Sequence, residues 1–173
     1  MNQKRIELLK QGCKDTSVQQ YVREIERHLD TDHGSCLLRD LRNVEILGNA
    51  IHHFDADRYS LGAYCIMPNH YHVVLTPLGG NTLSDIIQSW NGFSAYFINV
   101  LNDREGRLWF DEFYDTIPRD RDHLWNIVQY IGRNPWKAHI PEECRIRWIN
   151  PAWRSLGWDF FDAPNRGRFE SLK

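Results

Sequence analysis

The sequence has no run approaching the roughly 18 to 20 consecutive apolar residues that a membrane-spanning helix needs, and its opening, MNQKRIELLKQ, lacks the apolar core of a secretory signal. A soluble, cytoplasmic protein with no membrane partner is the expectation. Cysteine is scarce: Cys13, Cys36, Cys65 and Cys144 stand far apart with no CxxC pair, which suits neither a zinc knuckle nor a disulfide-stapled frame. Reduced thiols follow. A strong charge of either sign is also missing, the formal net charge being -2, and this argues against a general nucleic-acid coat. Lys and Arg are absent from residues 61 to 103, whereas residues 131 to 173 hold eight basic against five acidic side chains. Any phosphate contact must come from the flanks, the helix ends and the tail.

With 173 residues, 42% of them hydrophobic, the chain is sized for one domain with a real core. Five of its seven tryptophans lie from Trp125 onward; they are read chiefly as core, with base stacking by one or two left open. The segment SVQQYVREIERHLD has Val18, Tyr21, Val22, Ile25 and Leu29 at helical spacing. LLRDLRNVEILGNAIHHF repeats that pattern behind Asp40, a good N-cap. From Arg58 the period becomes two, and RYSLGAYCIM with HYHVVLTP, joined through Pro68 and Asn69, reads as a hairpin. A third helix opens at Thr82, with Asp85 in the capping-box position, and runs to about Asn102. EGRLWFDEFYDTIPRD reads as a short strand or strand pair ending at Pro118. A fourth helix follows with Leu124, Ile127, Val128 and Ile131 on its apolar face, and Pro135 predicts a break or a new helical turn at Asn134. The tail from residue 141 has no strong period and reads as an irregular extension held by its aromatics.

The chemistry-bearing stretch is AYCIMPNHYHVVLTP. Side chains alternate on a strand, so His70, His72 and Val74 share one face and Tyr71, Val73 and Leu75 the other. Two imidazoles so placed reach one ion, although a pair of satisfied, half-buried histidines has the same pattern. Tyr130 and Asn134 lie one turn apart on the fourth helix; by themselves they read equally as a packing aromatic and a helix-ending residue. Taken together, the four residues suit phosphodiester chemistry. A divalent cation on His70 and His72, with the Asn134 amide oxygen as third ligand, would stabilise charge building on a phosphate, and a phenol in line could attack phosphorus. The amide favours Mg or Mn, and the imidazoles also accept Co, Ni or Zn.

These residues carry a resemblance. GSCLLRDLRNVEILGNAIHHFDADRYSLGAYCIMPNHYHVVLTP, LWFDEFYDTIPRD and IVQYIGRNPWKA, spanning about residues 33 to 138, resemble the single-tyrosine HUH endonucleases, and among them the REP-associated tyrosine transposases of bacteria. The combination of MPNHxH with YIxxNP is specific. The resemblance implies that His70 and His72 bind the metal, that Tyr130 is the nucleophile and that Asn134 completes the metal site. It implies cleavage and joining of single-stranded DNA through a 5'-phosphotyrosine with a free 3'-hydroxyl, on imperfect palindromes that fold into hairpins beside a guide tetranucleotide. The implied fold is α+β and ferredoxin-like, a central antiparallel sheet flanked by helices, over residues 1–140, with residues 141–173 as the extension. The implied setting is cytoplasmic and nucleoid-associated, as monomer or homodimer.

The chain departs from that pattern in three places. Family members open with a strand resembling YFITFRL, and nothing like it precedes Val18, so a sheet short of its first strand is expected. Trp136 stands where an aliphatic residue is usual. Gly132 lies inside the tyrosine helix, where glycine costs about 1 kcal/mol relative to alanine and would loosen the nucleophile's support. Arg119, Arg121, Arg133 and Lys137 flank the site and are candidates for DNA phosphates, with Arg145, Arg147, Arg154, Arg166 and Arg168 further out. Two other functions are compatible with the residues: a hairpin-binding relic of the family with weak or no catalysis, and a metal-dependent hydrolase in which water attacks and Tyr130 only packs.

Overall fold

The structure is a computed structural model and describes residues 35–110 and 113–161. The helical pattern around Val18 to Leu29 and the expected lack of a first strand fall outside the described residues, as do Cys13, Arg166 and Arg168. The described residues from Cys36 onward belong to one compact unit. It is an α+β arrangement in which helices flank a three-stranded antiparallel sheet. None of its helices is long and apolar enough to cross a membrane. Cys36, Cys65 and Cys144 form no disulfide, and burial pushes the Cys65 thiol up to about 12.

Helix α1 (Leu41–His53) starts as its cap predicts: Asp40 is extended and its carboxylate accepts the backbone N–H of Arg42 at 2.9 Å. Val44, Leu47 and Ile51 share its buried face. The hairpin is strand β1 (Tyr59–Ile66) with strand β2 (Tyr71–Pro77), Cys65 standing opposite His72. A bulge at Gly62 shifts β1, so Leu61 and Tyr64 both enter one core while Ala63 enters the other. Only glycine fits there, because a Cβ would lie 2.2 Å from the Trp153 ring. Helix α2 (Leu83–Leu101) carries the expected capping box: Thr82 Oγ1 accepts the Asp85 N–H at 3.1 Å and donates to the Asp85 carboxylate at 2.7 Å. Helix α3 (Arg121–Lys137) is capped by Asp120.

Three expectations are corrected. The stretch from Glu105 to Asp120 forms no strand among its described residues; Leu108, Trp109 and Phe113 instead pack against the larger core as side-chain anchors, and the Trp109 indole donates to Ser94 Oγ at 2.9 Å. Helix α3 does not break at Asn134 but runs on through Pro135. The missing proline N–H costs one bond in the last full turn, and Asn134 and Pro135 still accept the N–H groups of Ala138 and Ile140 at 3.0 and 2.9 Å. The tail is not irregular throughout. Strand β3 (Ile146–Ile149) pairs antiparallel with β1, giving the order β2-β1-β3, and a short helix α4 (Pro151–Ser155) follows. Its four residues are too few to show a period against the surrounding tryptophan and arginine.

The sheet separates two cores. On one face, α1 and α2 close a large cluster that takes in Tyr71, Val73 and Leu75 of β2; on the other, α3 and the tail close a small one around Ala63, Val128, Ile131, Ile149 and Trp158, with Val74 and Tyr130 at its margin. Alternation along β2 thus sorts its residues as expected.

Candidate metal and nucleophile site

His70 lies at the end of the hairpin loop, where its carbonyl accepts the Met67 N–H at 2.9 Å, and His72 lies inside β2. Their Nε2 atoms are 3.1 Å apart. Helix α3 crosses above them and delivers Asn134, whose amide Nδ2 is 2.8 Å from His72 Nε2. Tyr130, one turn earlier, stands with its ring centroid 6.4 Å from that of His72 and nearly perpendicular to it. All four expected residues therefore meet at one place, sixty residues apart in sequence as they are.

The electrostatics of the cluster are unbalanced. Desolvation lowers the pKa of His70 to about 4 and that of His72 to about 3, helped for His72 by the charges of His70 and Lys137. Both rings are neutral at pH 7. His70 Nδ1 lies 2.7 Å from Asn69 Oδ1; an amide oxygen only accepts, so Nδ1 carries the hydrogen and Nε2 presents a lone pair. His72 Nε2 accepts from the Asn134 amide in the assigned orientation. Two acceptor nitrogens then face each other at 3.1 Å with no hydrogen to share. Beside them Asn134 Oδ1 is buried with no partner, in a residue only 3% exposed. Turning the amide over puts its oxygen against His72 Nε2, where it either accepts from an Nε2–H tautomer of His72 or joins the imidazole lone pairs around a cation.

A divalent cation fits this set. With the amide turned, three neutral lone pairs converge, and ligands at about 2.1 Å around one ion stand about 3 Å apart when adjacent, close to the 3.1 and 2.8 Å seen here. No cluster of three or more His, Cys, Asp or Glu that could hold a metal occurs among the described residues; beside the histidine pair, the Asn134 amide is the group placed to serve as a third ligand. Nitrogen and amide oxygen ligands suit Mn, Mg or Zn without singling one out.

The four candidate DNA-binding cations separate. Lys137 Nζ sits 4.3 Å from the centre of the Tyr130 ring and so belongs to the site. Arg133 Nε donates to the Phe161 carbonyl at 3.0 Å and is engaged by the tail. Arg121 lies over the Trp158 ring at the start of α3, nine residues and roughly 14 Å of helix before Tyr130, and Arg119 precedes it, its backbone N–H donating to His123. Sequence reasoning missed Asn69 as the group that orients His70, having read it only as turn chemistry; its place next to the first histidine was the available signal. Comparison with protein-family models, with curated proteins and with solved structures finds no match for this chain.

Proposed function

We propose that this protein is a metal-dependent, single-tyrosine DNA nickase and strand transferase of the REP-associated transposase kind, its sheet and helices forming the ferredoxin-like HUH core of such an enzyme. The observation that supports it most is the frustrated trio of His70 Nε2, His72 Nε2 and the orphan Asn134 oxygen, placed beside a tyrosine.

In this reading the trio holds Mg or Mn, which supplies charge stabilisation to the phosphate under attack. Asn69 fixes the His70 tautomer so that its lone pair faces inward. The Tyr130 oxygen attacks phosphorus, its proton leaving to water, while the bond from phosphorus to the 3' oxygen breaks and that oxygen leaves as a 3'-hydroxyl. The phosphotyrosine keeps the bond energy, and attack by a 3'-hydroxyl restores the phosphodiester and frees the phenol. Lys137, over the Tyr130 ring, favours the phenolate character of the nucleophile and the charge of an incoming phosphate. Trp136, 47% exposed and adjacent in sequence, offers an indole for stacking an unpaired base.

The test is incubation of labelled hairpin DNA with single-stranded flanks in Mn or Mg, followed by denaturation. Wild type is expected to give a protein-DNA adduct mapping to Tyr130, and Tyr130→Phe none while still binding the hairpin. Hairpin binding without any adduct from folded wild type identifies a binding relic. Cleavage that survives Tyr130→Phe identifies a hydrolase that uses water.

A further inference from the structure

Helix α3 is held from two sides, and the second side has no part in the site described above. At about 100° of rotation per residue, Gln129 and Gly132 lie on flanks of α3 turned about 100° and 160° away from Tyr130. There the tail is fastened to the helix. The buried Gln129 side chain, 4% exposed, donates through Nε2 to the Asp159 carbonyl at 2.7 Å and accepts the Phe161 N–H through Oε1 at 3.0 Å. An amide that binds a passing backbone at both ends fixes its position along the helix as well as its distance. Arg133 adds its bond to the Phe161 carbonyl at 3.0 Å. Between these anchors the Phe160 ring sits on Gly132 so closely that a Cβ there would lie 2.3 Å from it. Arg147 of β3 closes the assembly, lying over the Phe160 ring and donating to the Gly132 carbonyl at 2.9 Å.

We infer that Trp158–Phe161 is a strap that sets the position of α3 over the sheet, with Gln129 as its anchor and Gly132 as its seat, so that Tyr130 and Asn134 meet the histidine pair. Gln129, Gly132 and Phe160 are positioning residues: they act on Tyr130 and Asn134 through the placement of α3. The glycine is therefore required for close contact and does not loosen the nucleophile's support. The inference rests on the proposed reaction for its functional meaning, because displacing an attacking group by about 1 Å costs up to about a hundredfold in rate.

Gly132→Ala separates positioning from simple stability. A purely structural contact predicts a less stable protein, because a Cβ there would lie 2.3 Å from the Phe160 ring, but one whose folded form keeps the wild-type adduct rate and Mn affinity. The strap predicts that the added methyl lifts Phe160 from its seat. Adduct formation at saturating hairpin DNA then falls about tenfold or more, the half-saturating DNA concentration stays within about twofold, and Mn binding followed by electron paramagnetic resonance weakens several-fold. Phe160→Ala should shift the same quantities in the same direction, and Phe160→Leu should restore most of the loss. The Phe160 pair carries the test if G132A does not fold. Rates and Mn affinities equal to wild type in G132A or in Phe160→Ala overturn the strap. Wild type that forms no adduct defeats the proposed reaction instead, and the Mn arm then still reads the strap.

Discussion

Neighbouring residues of β2 enter two chemically different halves of the molecule. Tyr71 points into the core under α1 and α2, where its hydroxyl donates to Asn91 Oδ1 at 2.9 Å. In the same core Tyr59 donates to the Ile51 carbonyl at 2.7 Å and accepts the Trp90 indole N–H at 3.0 Å. Each of these polar groups is satisfied. His70 and His72 point the other way, to a face where two lone pairs oppose each other and an amide oxygen has no partner. Buried polarity is common to both faces, and single unmatched atoms occur on each, Asn99 Oδ1 of α2 among them; what sets the α3 side apart is that its orphan oxygen lies beside two imidazole nitrogens 3.1 Å apart. Two imidazole nitrogens and an amide gathered at one point, across the sheet from a core where Tyr59, Tyr71 and Trp90 are matched, are the arrangement that the proposed cation would use.

Removing an imidazole should separate the faces most strongly. His72→Ala is expected to lower adduct formation by about a thousandfold or more and to abolish stabilisation by Mn, which in wild type reaches about 2.7 kcal/mol at a hundredfold excess over the dissociation constant. Thermal unfolding with and without Mn, beside the adduct assay, checks both. Tyr71→Phe, a single position away, should keep activity within about threefold. Equal losses from the two substitutions would make β2 a plain structural strand.

Much of this was readable in the chain. Asp40, Thr82 and the two-residue period after Arg58 placed α1, α2 and the hairpin because caps and alternation are local physics. The site was readable as residues and not as geometry: HxH and YIxxNP named the four side chains, while the facing lone pairs depend on a 3.1 Å approach that no pattern encodes. Strand β3 was hidden because four residues pairing with a central strand owe their form to β1. Pro135 was misread since a local bias toward breaking lost to burial of Asn134 and Pro135 against the sheet. Gly132 was misread for want of a partner, Phe160, that lies 28 residues on.

Acid should expose the difference next. Both site histidines have folded pKa values, about 4 and about 3, below the ordinary 6.5. The unfolded chain then binds more protons than the folded one across that window. Their contribution to stability is full above pH 6.5 and is lost as pH falls through 6.5 toward 4. Metal-free wild type is expected to lose about 3 kcal/mol between pH 6.5 and 5 beyond a His70→Ala/His72→Ala variant, measured by urea unfolding at each pH. A wild type with the same slope as the variant would mean that the rings are not held neutral.

The smallest effect is the most direct reading of the two faces. Tyr59→Phe deletes a hydroxyl that accepts from Trp90 and donates to Ile51, leaving a buried N–H and a buried carbonyl each short of a partner, and should cost about 1 to 3 kcal/mol. Asn134→Leu deletes an amide that is already half unsatisfied and replaces it with a side chain of similar size. In metal-free protein it should cost less than about 1 kcal/mol or stabilise slightly, because the lost bond to His72 is offset by removal of the orphan oxygen. With Mn present the order reverses, since wild type gains the metal's binding energy and the leucine variant does not. Denaturant unfolding of both variants, with chelator and with Mn, decides it: a leucine variant that is the less stable of the two even without metal would show Asn134 to be an ordinary buried strut.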